Sequence, residues 1–209
     1  MKTRRNLWTS ICATMLLVLA TTLPARAQMS DNGYASVDWQ YNFPVGNSFA
    51  NHSSGWGMHV EGGYYLNDHW GLGLFLAWHT NHEYIPRTVL PLSPTESLST
   101  DQQHSNFRLP FGVAGRYSWN RGGAFQPYVS VKAGAQYARL SSAFNIFEAE
   151  DKTWGFYVSP EIGLNIFPWA YGPGLHLAAY YDYGTNRGHL LTYDPEGMNN
   201  VGLRIGISF

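Results

Sequence analysis

Residues 198–209 read MNNVGLRIGISF. Val201, Leu203, Ile205, Ile207 and Phe209 alternate with Asn200, Gly202, Arg204, Gly206 and Ser208. Side chains alternate faces along an extended strand, so one face of this segment is wholly apolar. The other face is polar or nearly bare. The apolar row ends on an aromatic residue, Phe209. Alternation of this kind predicts a β-strand with two unlike environments.

Working back from there, the same period recurs seven times, over 34–45, 56–66, 69–79, 106–119, 125–138, 153–167 and 174–184. In the first run Val37, Trp39, Tyr41, Phe43 and Val45 oppose Ser36, Asp38, Gln40 and Asn42. In the third, Trp70, Leu72, Leu74, Leu76 and Trp78 oppose Gly71, Gly73, Phe75 and Ala77. The connections alternate in length. Asn67-Asp68, the Gly122-Gly123 turn and 168–173 are short, whereas 46–55, 80–105, 139–152 and 185–197 are long and polar.

The front of the chain has a different character. Lys2, Arg4 and Arg5 precede a mostly apolar stretch, and Ala25-Arg26-Ala27 has the small-x-small form of a processing site. This predicts a signal peptide over 1–27 and a mature domain over 28–209. The sole cysteine, Cys12, falls in the leader, so the mature chain has no disulfide to lean on. Four of the thirteen Lys and Arg also leave with it. Nine then face fourteen Asp and Glu, a charge of −5 over 182 residues. No basic cluster remains, which argues against a nucleic-acid partner.

The two faces decide between a soluble and a membrane setting. A soluble sandwich buries its apolar rows and covers the opposite rows with Lys and Glu. Here the opposite rows are rich in Gly, Ser, Ala and Tyr, and only 13% of the chain is charged, about half the usual share. No apolar run after the leader is long enough for a spanning helix. Each alternating run is long enough for a tilted spanning strand. Backbone groups in hydrocarbon find no water, so the strands must close on one another. The prediction is all-β: an eight-stranded antiparallel up-and-down transmembrane β-barrel. Its apolar rows face lipid, and Trp39, Trp70, Trp78, Tyr117, Trp119 and Trp154 form interfacial girdles.

The inward rows then hold Asp38, Glu61, Glu161 and Asp182 together with Arg108, Arg116, Lys132 and Arg204. Eight strands enclose little more than side chains, so these charges are expected to pair as a lumen network. A static plug and a selective ion path are both compatible with that set, and the narrow bore favours the plug. His79 and His82, followed by Glu83, make an H-x-x-H pattern, but their offset places them on opposite sides of extended backbone. His52, His59, His176 and His189 read as loop or lumen polar residues. No catalytic triad, metal site or cofactor site assembles from spacing. The stretch 80–105, with Pro86, Pro91 and Pro94, is expected to be the longest loop, serving either as a contact surface or as a mobile connection.

The segments Gly63-Tyr64-Tyr65-Leu66-Asn67, Trp70-Gly71-Leu72-Gly73, Pro127-Tyr128-Val129, Lys132-Ala133-Gly134 and Val201-Gly202-Leu203-Arg204-Ile205-Gly206 carry a family likeness. The chain resembles the small eight-stranded outer-membrane barrels, the superfamily of the OmpA transmembrane domain and OmpX. The resemblance implies a place in the outer membrane among its lipids and lipopolysaccharide. It implies delivery by the barrel assembly machinery, with Phe209 as the C-terminal assembly signal. The same barrel hosts unrelated roles, so function stays open among three readings. The first is a non-enzymatic barrel that stabilises the envelope or binds an extracellular ligand through its long loops. The second is a narrow porin. The third is a lipid A-modifying enzyme. His104-Ser105-Asn106 resembles the His-x-Ser-Asn signature of lipid A deacylases only in part. Its serine sits one position early, so histidine and serine cannot share a strand face.

Overall fold

The computed structural model describes residues 32–46, 49–93, 96–169, 172–190 and 193–209. The proposed leader, 1–27, lies outside them. Among the described residues the strands are β1 (Gly33–Val45), β2 (Gly57–Tyr65), β3 (Trp70–Ser93), β4 (Glu96–Ser118), β5 (Phe125–Phe144), β6 (Phe147–Ile166), β7 (Gly174–Arg187) and β8 (Glu196–Ser208). Each pairs antiparallel with the next, and β1 pairs with β8, so the sheet is a closed barrel.

The turns at one end are short for local reasons. The Asn67 side chain accepts from the backbone N–H groups of His69 (3.0 Å) and Trp70 (2.8 Å), which folds the chain back in four residues. The next turn at that end uses Gly122 at φ 83°, a conformation that a side chain disfavours. Both described termini lie at this end. Phe209 exchanges two backbone hydrogen bonds with Ala35, at 2.8 and 3.1 Å, and so completes the seam between last strand and first.

The two rows of each strand have opposite fates. Val37, Leu72, Leu74, Val131, Ile162, Leu203 and Ile205 point outward and are exposed, while Ser36, Asp38, Gln40, Glu61, Lys132 and Arg204 point inward and are buried. In water each such exposed aliphatic would forfeit about 1.5–3 kcal/mol of burial. In hydrocarbon the same row is satisfied. The barrel is thus inside-out relative to a soluble protein. Its bulky lumen side chains need bare wall opposite them: a Cβ at Gly163 would overlap the Tyr128 ring.

The strands β3 to β6 overrun the predicted runs. The stretches 80–105 and 139–152, expected as loops, are mostly paired strand. The β3–β4 ladder continues through Ile85↔Gln102 and, after two register shifts, to Ser93↔Glu96. The β5–β6 ladder continues to Phe144↔Phe147 around Asn145, which sits at φ 53°. Above the membrane the outer face of these strands meets water instead of lipid, while the inner face packs on neighbouring segments, with Gln102, His104, Leu140 and Ser142 buried. The apolar period that marks a spanning strand therefore fades, although Thr, Tyr, Ile and Val keep the backbone extended. The register shift between Ile85 and Thr88 accommodates Pro86, which has no N–H for the ladder.

Candidate functional site

All eight ionisable residues placed in the lumen by alternation are buried there, each 4% exposed or less. Six of them join one connected set. Glu61 accepts from Arg116 (2.9 Å) and approaches the Lys132 ammonium at 3.0 Å. Lys132 reaches Glu161 at 2.6 Å, and Glu161 also pairs with Arg204. The Tyr128 hydroxyl donates to Glu161 (2.8 Å) and lies 2.5 Å from His176 Nε2. His176 Nδ1 bonds Asp38, and Asp38 bonds His59 Nδ1 at 2.9 Å. His59 Nε2 approaches Glu61 at 3.7 Å. The contacts form a ring running Glu61, Lys132, Glu161, Tyr128, His176, Asp38, His59 and back.

Two cations use aromatic faces as well. The Arg116 guanidinium lies between the rings of Tyr34 and Tyr128, at 4.4 and 4.0 Å from their centroids. Arg204 covers Tyr180 at 4.0 Å and donates from Nε to Gln40 (3.2 Å). Stacking of this kind satisfies a guanidinium where carboxylates are scarce.

Three of the eight meet none of the opposite charges, which corrects the expectation that all would pair with one: Asp38 bonds two histidines, and Arg108 and Asp182 find neutral partners. Arg108 donates to the Met198 carbonyl and to Asn200 Oδ1, both at 3.0 Å. It sits eight residues from Arg116, nearer the long-loop end, where facing rows carry amides rather than carboxylates. Asp182 accepts from the Tyr157 hydroxyl at 2.5 Å instead of from a cation. Conversely, the ring recruits His59, His176 and Tyr128, whose pairing the sequence did not reveal. Their inward positions were legible. Their convergence on Asp38 and Glu161 was not, because His176 meets Asp38 across 138 residues of chain.

The long-loop end of the lumen is capped. Phe49, Ala50, Ala138, Leu140, Leu190 and Met198 form a buried apolar cluster over the polar interior. Phe49 stacks on His104, with ring centroids 4.2 Å apart, and its carbonyl accepts from His104 Nδ1 at 2.8 Å. His104 lies beyond the girdle, and burial lowers its pKa below the ordinary 6.5. Its Nε2 contacts Gln102, so both ring nitrogens are engaged. Ser105 points to the other face of β4 from His104. His79 is in the lumen, bonded to Gln40 and Asn200 at 3.0 Å each, on the side opposite His82. Among the described residues no group of three or more His, Cys, Asp or Glu could hold a metal ion.

Beyond the girdle residues Tyr137 and Trp154, β3 to β6 continue as a four-stranded arm. Its outer face carries Tyr84, Asp101, Arg139, Glu150 and Lys152. Tyr84 donates to Asp101 at 3.3 Å, and Arg139 pairs with Glu150. Its two free edges, on β3 and β6, carry Pro86, Arg87, Glu148 and Lys152, residue types that discourage pairing with another strand.

A closed eight-stranded ring with a lipid-type exterior matches a known pattern. The family model for the outer membrane protein beta-barrel domain matches residues 13–209. The chain belongs to that family. This outer-membrane barrel shares the fold of Neisserial surface protein A (NspA), at 13% identity and a TM-score of 0.51, over 86% of this chain and 96% of the other. It also matches Ail, the attachment invasion locus protein of Yersinia pestis, solved with the heparin analogue sucrose octasulfate. That match has 14% identity and a TM-score of 0.45, over 85% and 99% of the two chains. The N-terminal barrel domain of Pseudomonas aeruginosa OprF matches at 14% identity and 0.40, over 84% and 97%. No curated protein matches the chain. The protein is an integral β-barrel of the outer membrane.

Proposed function

We propose that this outer-membrane barrel is non-enzymatic and non-conducting, and that it works from its extracellular arm. The single observation behind this reading is the division of the molecule. The lumen is filled by a bonded charge ring beneath an apolar cap, while four strands continue past the girdle as a paired, polar surface. A bore packed with side chains leaves no open water path at this strand number. A rigid paired surface loses less conformational entropy on binding than a floppy loop.

The test has two arms. The refolded protein in a planar bilayer should give no steady conductance, and stable single-channel openings would promote the porin reading. Cells displaying the full chain should also be compared with cells whose residues 83–103 and 140–151 are replaced by tight turns. Surfaces coated with protein, glycan or anionic lipid should retain the former better on at least one coating. Equal retention on all three, with detergent sensitivity in a deletion strain cured by either version, would shift the role to envelope stability.

A further inference from the structure

The opposite mouth of the barrel lies away from the arm and touches the charge network only through Arg116. There the short turns and the ends of β1 and β8 surround a cavity of about 630 Å³. That volume lies within the range of about 300–1,000 Å³ typical of small-ligand sites. In an outer-membrane barrel with this topology, the end bearing short turns faces the periplasm.

Its walls are aromatic. Tyr34, Tyr65 and Phe167 line it, with the two tyrosine rings tilted against each other at 5.1 Å, and Trp119, expected in the girdle, stands 53% exposed at its rim. Arg116 covers Tyr34, and Arg121 lies over Tyr65 at 4.4 Å from the centroid. Its floor is polar and incompletely satisfied. Asn165 and Ser208 line the cavity at 5% and 3% exposure, and neither Asn165 Oδ1 nor Ser208 Oγ has a partner within the protein. The Tyr34 hydroxyl on the same lining has no partner either, so the floor offers an amide oxygen and two hydroxyls, and it favours a ligand that both gives and accepts hydrogen bonds.

The rim adds acceptors. Asn120 donates its amide N–H to the Phe125 carbonyl (3.0 Å), and Gln126 donates to the Gly123 carbonyl (3.1 Å). The amide oxygens of Asn120 and Gln126 take no part in those bonds, which leaves the rim rich in acceptors. Charge gives little direction. One acid, Asp68, and one base, Arg121, both line the rim, and Arg116 is answered by Glu61. An anion would meet the unpaired amide oxygen of Asn165 and those of the rim. A cation would meet tyrosine faces already covered by guanidinium groups. What matches is a neutral ligand with hydroxyl groups that both donate and accept and a flat apolar face to lie on Trp119 or Phe167, the lining rings that no guanidinium covers.

We propose that this cup binds a neutral sugar unit of a periplasmic glycan. Two sources share that chemistry: the acetamido sugars of the cell-wall strand and plain glucans. The experiment titrates the mature barrel, folded in detergent, with N,N′-diacetylchitobiose and with cellobiose by calorimetry and saturation-transfer NMR. Saturable binding of either supports the cup, and the preferred sugar identifies the source. Trp119→Ala combined with Gln126→Ala should weaken binding at least tenfold while the heat-modifiable gel shift is unchanged. Three results would overturn the proposal: no binding of either sugar to folded barrel, binding untouched by the double variant, or tighter binding of spermidine or glutamate than of both sugars. None of these bears on the arm, so the two proposals fail separately.

Discussion

Glu161→Gln is the sharpest probe of the lumen. The wild-type carboxylate answers two cations, Lys132 at 2.6 Å and Arg204, and accepts from Tyr128 at 2.8 Å. The amide keeps the volume and removes the charge. Lys132 still has Glu61 at 3.0 Å, but Arg204 keeps only neutral partners: Gln40, the Tyr180 face and the new amide oxygen. One buried positive charge is thus left without a carboxylate. Breaking a buried pair from one side costs about 3–5 kcal/mol, less where water enters. At about 1.4 kcal/mol per tenfold, the folded-to-unfolded ratio should fall roughly 100- to 5,000-fold. Urea unfolding in detergent or lipid, followed by tryptophan fluorescence and the gel shift, reads this directly. The control is Glu150→Gln on the arm, whose partner Arg139 is 43% exposed and whose loss should cost at most about 1 kcal/mol. Adding Arg204→Met to Glu161→Gln removes the stranded charge and should recover part of the loss. If Glu161→Gln and Glu150→Gln unfold at the same denaturant concentration, the lumen is wet and the pairing argument fails.

Deleting Phe209 removes both backbone bonds to Ala35, at 2.8 and 3.1 Å, and the last aromatic of the outward row. Cell fractionation should show less folded barrel in the outer membrane and more chain in the periplasm; unchanged levels would argue against an assembly-signal role. A Cβ on Gly134 would overlap the Phe111 carbonyl, whereas one on Gly115 meets nothing nearer than 3.9 Å. Gly134→Ala should therefore cost about 1–3 kcal/mol in the same unfolding assay, and Gly115→Ala much less. The exposed His189 bonds the exposed Asp194, which raises its pKa above the ordinary 6.5. A raised folded value means that the contact is complete below 6.5 and is lost as pH climbs through that raised value. Histidine NMR should find this titration, and Asp194→Asn should bring it back down.

Much of this was readable from period alone. Strand number, closure, and which row faces lipid all follow from residues such as Leu72, Leu74 and Leu76 set against Gly71 and Gly73. The inward placement of all eight lumen charges followed too. Pairing did not, because partners across a bore are set by registers that accumulate around the whole ring. Arg108 shows this: it is inward, yet it meets Asn200 and a carbonyl rather than a carboxylate. The arm was missed for another reason. Once a strand leaves the bilayer neither face must be apolar, so Tyr84 to Val89 and 139–152 lose the signature that marked their lower halves.

The seam between β1 and β8 imposes an order on biogenesis. Every other ladder joins neighbours in sequence, but Ser36 meets Ser208. For a flexible chain, closing 172 residues costs roughly 3 kcal/mol more in entropy than closing a five-residue turn. Hairpins can therefore zip early, and the seam is the step that waits for the whole chain. Until it forms, the sheet has two raw edges inside or beside a membrane that cannot solvate them. An external template that pairs temporarily with one edge would remove that penalty, and the final exchange of template for strand would commit the barrel to its closed form.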